Sequence, residues 1–223
     1  VNLIKSLGFD SATARDLIGK FSLYSMFKNR GQSVRRYLIE SEDSAVVFFN
    51  DIENDKEYSR LPNDLSIYMR RFQFGEIPPL RQNVHTTVLA INLSDEKQLT
   101  VLKNIYSAVI AHGIPQRIGV VPLVDSEKDR LLANNLYHIV ETKGSRKAWK
   151  YLEKLTHGET GHPKSLTEKD YVSDVIKPFL QKFDIEKPYI VANGVFYVLD
   201  SDWPYAITRQ ITEDVQYLTG LIY

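Results

Sequence analysis

The sequence predicts a mixed α/β fold, and three observations carry that prediction. An apolar run from Thr87 to Leu93 reads as a strand, Asp95 to Ala111 as a helix, and Arg117 to Val124 as a second strand. Late in the chain, Pro188 to Leu199 reads as two strands joined at Asn193-Gly194, a dipeptide whose residues both accept the positive φ of a two-residue hairpin turn. Apolar residues elsewhere recur at helical spacing. If the first two strands are parallel, their connection is right-handed.

In chain order, 1–83 reads as an additional, mostly helical segment packed on a larger domain at 84–223. Asp10 is a plausible N-cap for Ala12 to Gly19, and Leu65, Tyr68, Met69 and Phe72 share a helical face. Ala45 to Phe49 has the composition of a short strand, but Asn50-Asp51 and Asn54-Asp55 beside it make it an isolated one. Phe74-Gly75 through Pro78-Pro79 breaks any helix. A large helical insertion occupies 125–187, with Trp149, Leu152 and Leu155, then Tyr171, Val175, Phe179 and Leu180, spaced by three or four residues. The polar run Thr156 to Pro163 divides it as a loop. A last helix begins at about Ile207.

Composition agrees with a folded domain: 43% of the 223 residues are apolar, enough for a sizeable core. Lys+Arg and Asp+Glu are equal at 28 each, so no global charge steers the chain toward nucleic acid or an anionic membrane. No stretch approaches the ~20 apolar residues of a membrane span, and the start lacks a signal-peptide pattern. Val1 is not an initiator Met and the chain stops in the apolar Gly220 to Tyr223, so both ends read as cut from something larger.

A strand, a helix, a parallel strand, a helical insertion and a hairpin follow one another in the order of a thioredoxin-like fold. In that fold the start of the first helix carries Cys-x-x-Cys, whose thiolate is the nucleophile. Here the redox position is Ser94-Asp95-Glu96-Lys97, and the chain has no cysteine. With no thiol to ionise, the module is expected to bind or position something. The strand after the insertion begins in such folds with a cis proline opposite the redox site. Lys187-Pro188 has that form, the alternative being a trans proline at the first residue of an edge strand.

Other chemical candidates are thin. His157 and His162 with Glu159 invite a zinc reading, but two glycines between them and the spacing favour a solvated loop. Asp200-Ser-Asp202 resembles a divalent-metal motif, against which stands a turn into a helix whose N-terminus favours Asp202. Lys143 to Lys147 could meet a phosphate or open a solvated helix. Asn92-Leu-Ser94 is the single N-glycosylation sequon, making Asn92 a candidate glycan acceptor if its side chain reaches solvent.

A family resemblance rests on Ser6-Leu-Gly-Phe9, Asn50-Asp-Ile-Glu53, Tyr58, Leu61-Pro62, Phe74-Gly75, Arg81-Gln-Asn-Val-His85, His112 to Gly119, and Pro188 to Gly194. In these the chain is similar to the third thioredoxin-like domain of UDP-glucose:glycoprotein glucosyltransferases. The similarity is most specific from Arg81 to Val124 and weakens from Asp125 to Lys187. Phe74 stands where that family tends to have proline, and Asn92 where an acidic residue usually ends the strand.

The resemblance implies a parent enzyme of the endoplasmic reticulum lumen that transfers glucose from UDP-glucose to N-glycans of misfolded glycoproteins. Its Ca²⁺-dependent transferase domain would lie beyond this segment. This segment would then hold no catalytic residue, cofactor or metal of its own. Its partners would be misfolded glycoproteins and neighbouring thioredoxin-like domains, with no nucleic acid and no membrane insertion.

Two other classes stay open: a glutathione-binding transferase-like enzyme, with the Ser94 hydroxyl at the strand–helix junction, and a structural spacer. The C-terminal segment offers a candidate client surface. Ile207, Ile211, Val215, Leu218 and Ile222 fall on one helical stripe, widened by Tyr217 and Leu221, while Arg209, Glu213, Asp214 and Gln216 take the other side. That stripe is either the core face of a last helix or a loosely held cover over an apolar patch, Gly220 weakening the helix by ~1 kcal/mol relative to Ala.

Overall fold

The computed structural model describes residues 45–157 and 164–222, with nothing stated of the side chains of Leu221 and Ile222. The helices read around Asp10 to Gly19 and the segment carrying Glu159 and His162 lie outside the described residues. Five strands form one sheet in the order β1-β3-β2-β4-β5: β1 Val47–Phe48, β2 His85–Asn92, β3 Gln116–Leu123, β4 Tyr189–Ala192 and β5 Val195–Val198. Among the described residues five α-helices accompany them: α1 Glu96–Ala111, α2 Glu127–Lys143, α3 Ser145–Thr156, α4 Lys177–Phe183 and α5 Trp203–Ile222. The fold is thioredoxin-like.

β2 and β3 run parallel from His85↔Gln116 to Asn92↔Leu123. Nearly every residue of both is buried, which is why they read as continuous apolar runs rather than alternating ones. α1 is capped by Asp95, whose carboxylate accepts from the N–H groups of Lys97 and Gln98. It presents Leu99, Leu102, Ile105 and Val109 to the core. Tyr106 of α1 stacks on Trp149 of α3 with ring centroids 3.7 Å apart, and Phe49 meets Trp149 edge-on at 5.3 Å.

The short apolar run at 45–49 is not isolated. Val47 and Phe48 pair antiparallel with Val120 and Gly119 of β3, forming one edge of the sheet. What the local pattern could not supply is a partner more than 70 residues away, and Asn50 strengthens that pairing. Its side chain is buried, its Oδ1 accepts from Ile118 N–H at 2.8 Å and its Nδ2 donates to Gln116 C=O at 2.8 Å, so an amide continues the ladder where the backbone turns off. The chain closes that turn on Asp51, which accepts from the N–H groups of Glu53 and Asn54 and from the side chains of Asn54 and Asn83. Leu65, Tyr68 and Met69 fall in a 3-10 helix, Leu65–Met69, opened by Asp64; extended backbone at Arg70 (ψ 160°) stops it before Phe72.

Asn193 (φ 47°) and Gly194 (φ 81°) form the turn between β4 and β5, both in the left-handed region. The Lys187–Pro188 peptide is trans, since the described residues contain no cis bond. The helical insertion ends at Asp184, in left-handed conformation, with Ile185 N–H returning to Leu180 C=O at 2.9 Å. Three residues then carry the chain to Pro188, whose C=O accepts from Leu199 N–H at 3.2 Å and extends the β4–β5 ladder by one pair. That span leaves room for an ordinary trans bond at the start of the strand.

Gly119 is needed for a close approach. A Cβ there would stand 2.8 Å from Val46 Cγ1 and 2.9 Å from Phe48 Cδ1, under the ring on which the Arg117 guanidinium rests at 3.6 Å. Gly119→Val is expected to push β1 off the sheet edge and lower stability by ~1–3 kcal/mol, measured by urea unfolding. An unchanged midpoint would show that β1 is not held there.

Candidate functional site

The carboxyl ends of β2 and β3 bring Ser94 to Lys97, the residues read from the sequence as the redox position, together with the start of α2. Asn92 closes β2, Ser94 and Asp95 lead into α1, and Ser126 caps α2, its hydroxyl accepting from Asp129 N–H. Asp129 is buried. Its Oδ2 takes donors from Ser126 Oγ at 2.7 Å, Asn92 Nδ2 at 3.1 Å and Asp125 N–H at 3.3 Å. Burial alone would raise this carboxyl's pKa; bonds from Ser126, Asn92 and the Asp125 backbone outweigh it and hold the group below its ordinary value.

Of the four residues read as the redox position, Ser94 and Asp95 have structural tasks. Asp95 is the helix cap and also accepts from Gln98 Nε2 at 2.7 Å. Glu96 and Lys97 are exposed on the first turn. Ser94 donates its hydroxyl to Asn92 Oδ1 at 2.8 Å, the same oxygen that accepts its N–H. A hydroxyl stabilising a glutathione thiolate would have to give that hydrogen to sulfur instead. Antiparallel pairing of Ala90 with Tyr189 carries Pro188 to the level of Ile91, one residue short of this cluster.

Asn92 is half-buried, and Nδ2 spends both hydrogens on Asp129 and on Asp125 Oδ2 at 3.3 Å. A glycan on that nitrogen would displace one of them and crowd the start of α2. In protein secreted from a eukaryotic host, intact mass is expected to show Asn92 unmodified; a hexosamine-bearing Asn92 would mean that this end of the sheet opens.

Opposite in character is a buried junction between β2, the hairpin, the Leu65–Met69 turn and α5. Asn193 Oδ1 accepts from Thr86 N–H at 2.7 Å, which fixes the amide orientation and makes Nδ2 the donor. Nδ2 donates to Asp214 Oδ2 at 2.8 Å and faces His85 Nδ1 at 3.3 Å. Nδ1 is thereby the acceptor, so neutral His85 carries its proton on Nε2, which meets the Tyr68 hydroxyl at 3.2 Å. His85 is buried, and desolvation pushes its pKa down to about 4 against the opposing pull of Asp214. The same burial, with Asp214 nearby, raises the Tyr68 phenol well above its usual value.

Asp214 corrects the sequence reading, which set it on the solvent side of the last helix. It is 0% exposed. With Ile207, Gln210, Ile211, Val215 and Leu218 it forms the i, i+3, i+4, i+7 face that α5 turns to the protein, a period that would have revealed it had the acid not been assigned outward by type. Ile211, Val215 and Leu218 are buried in that face, Tyr217 is half-buried, and the side chains of Leu221 and Ile222 lie outside the described residues. The exposed apolar surface at α5 is elsewhere. Phe74 (60% exposed) and Tyr205 (65% exposed) approach with ring centroids 6.2 Å apart, beside Gly75, whose N–H donates to Thr212 Oγ1 at 2.8 Å. The signal for this pair was Phe74 itself, an aromatic residue where the resembled family tends to have proline.

The remaining candidates resolve locally. Asp200 Oδ1 accepts from Asp202 N–H at 2.9 Å and Asp202 C=O accepts from Ala206 N–H, a turn leading into α5. Lys143 and Ser145 flank Gly144, whose φ of 77° separates α2 from α3. His157 ends α3 and meets Lys103 Nζ at 3.1 Å. Among the described residues no three His, Asp or Glu side chains gather as a metal site, and no helix is long and apolar enough to cross a membrane.

A five-stranded sheet with this strand–helix–strand unit, in a chain without cysteine, defines a thioredoxin-like module that has no thiol. A family profile described as "Thioredoxin-like domain" matches residues 36–223, and the chain belongs to that family. It is 26% identical over 212 residues to Killer toxin-resistance protein 5 of Saccharomyces cerevisiae, covering 91% of this chain and 16% of that protein. It is 30% identical over 153 residues to UDP-glucose:glycoprotein glucosyltransferase of Drosophila melanogaster, covering 66% of this chain and 10% of that protein. Human UDP-glucose:glycoprotein glucosyltransferase 2 is 28% identical over 93 residues, covering 42% of this chain and 6% of that protein. The chain thus spans less than a fifth of these relatives. Two solved structures are similar at 16% identity. One is BdbD from Bacillus subtilis (TM-score 0.47, 59% of this chain and 88% of that one); the other is the Trx3 domain of UGGT (TM-score 0.36, 60% and 82%).

Asn193→Gly keeps the turn's backbone freedom but strips the amide from Thr86, Asp214 and His85. A loss of about 3 kcal/mol or more is expected in urea unfolding, because a buried carboxylate is left with one donor fewer.

Proposed function

We propose that this chain is a non-catalytic module of a UDP-glucose:glycoprotein glucosyltransferase in the endoplasmic reticulum lumen, helping that protein engage misfolded glycoproteins through apolar surface. The observation that carries this reading is the 30% identity over 153 residues to a glucosyltransferase of which that match covers 10%, in a domain whose redox position is a hydrogen-bonded cap. Transfer of glucose from UDP-glucose, with its Ca²⁺, belongs on this reading to another part of the full protein, and neighbouring thioredoxin-like domains flank this one.

A client-binding module needs apolar surface that a native glycoprotein would not match and an unfolded one would. The Phe74–Tyr205 pair meets that need better than the α5 stripe, since Ile211, Val215 and Leu218 are core residues whose removal would cost the fold. Phe74→Ser with Tyr205→Ser is expected to weaken binding of denatured, but not native, glycoprotein several-fold while leaving the urea midpoint within about 0.5 kcal/mol. Equal binding by the double variant and the parent would remove this patch from the proposal. The chain itself is expected neither to reduce insulin nor to transfer glucose from UDP-glucose with or without Ca²⁺; glucose transfer by it would overturn the assignment of catalysis elsewhere.

A further inference from the structure

We propose that the buried junction of His85, Asn193 and Asp214 is a proton-operated latch: a proton on His85 Nδ1 releases α5 from the sheet while the rest of the domain stays folded. The geometry makes the junction intolerant of that proton. Nδ1 already faces an N–H of Asn193 Nδ2 at 3.3 Å, so protonation sets two donors against each other. Rotating the Asn193 amide gives no relief, because Oδ1 is held by Thr86 N–H at 2.7 Å and would turn onto the Asp214 carboxylate. Asn193 cannot withdraw either, its backbone being committed to φ 47° by the hairpin turn. The movable partner is Asp214, on α5.

The groups facing His85 are accounted for element by element. α5 supplies the Asp214 carboxylate, the Leu65–Met69 turn supplies the Tyr68 hydroxyl on Nε2, the hairpin supplies Asn193, and β3 places the neutral Gln116 across from it. Asp214 favours a charged imidazole; burial disfavours it more strongly, and the folded group titrates at about 4. That is below the ordinary histidine value of about 6.5. The closed junction is therefore intact above about pH 6.5, and its advantage is lost as pH falls from there toward about 4, by up to ~300-fold in the closed–open balance. Release uncovers the stripe of Ile207, Ile211, Val215 and Leu218. The latch stands whether or not the client-binding reading does.

Hydrogen exchange of the 223-residue chain, followed by mass spectrometry between pH 7 and 5 and corrected for intrinsic rates, tests it. The opening constant of amides within Trp203–Ile222 is expected to rise roughly twentyfold over that range, with α1 amides changing less than twofold. In His85→Gln, and in His85→Asn as a second non-titrating variant, the α5 rise should vanish. A parallel rise in α1 and α5 would mean global unfolding, and a wild-type-like rise in either variant would move the proton elsewhere. Each result overturns the latch, as does a pH-independent α5 in the wild type, a comparison that needs no variant to fold.

Discussion

Everything at the C-terminal half of this domain hangs on one amide. Asn193 must occupy a left-handed position because a two-residue hairpin requires it, and from there it binds β2 through Thr86, α5 through Asp214 and the histidine between them. A buried polar group of this kind is worth little net energy when satisfied and costs several kcal/mol when broken. Its influence is on geometry: with the amide orientation set by a backbone N–H, the hairpin, the central strand and the last helix have one mutual arrangement.

The other end of the sheet is held by a second buried polar cluster. Parallel strands with helices at their carboxyl ends converge N–H donors on the place where a thioredoxin-like enzyme keeps its thiolate. Here those donors are consumed internally. Asp95 takes two at α1, Asp129 takes Asn92, Ser126 and the Asp125 backbone, and Ser94 gives its hydroxyl to Asn92. The donors at this end of the sheet serve two helix starts, and the exposed aromatic surface lies elsewhere, near α5.

Much of the fold was legible in local pattern because local pattern is what dictates those elements. The runs of Val88 to Ile91 and Ile118 to Val121 are apolar on both faces only because both faces are covered, and the Asn193-Gly194 turn follows from φ alone. The helix behind Asp95 follows equally from its apolar spacing, although the reading places Asp95 inside the helix where the structure makes it the cap. Local pattern leaves β1 isolated, since its partner lies more than 70 residues on and strand pairing leaves no trace in a two-residue run. Pro188 was expected to be cis by analogy of position, yet the length of the 185–187 link allows a trans bond.

What the sequence by itself determined is the order of elements, the absence of a thiol and the turn that fixes Asn193, because each depends on residues adjacent in the chain. Tertiary structure alone decided that Asp214 lies inside, that its partner is Asn193, and that His85 holds its proton on Nε2. An acid is assigned to solvent by the cost of burying its charge, and that assignment fails only where a donor from a distant segment is waiting.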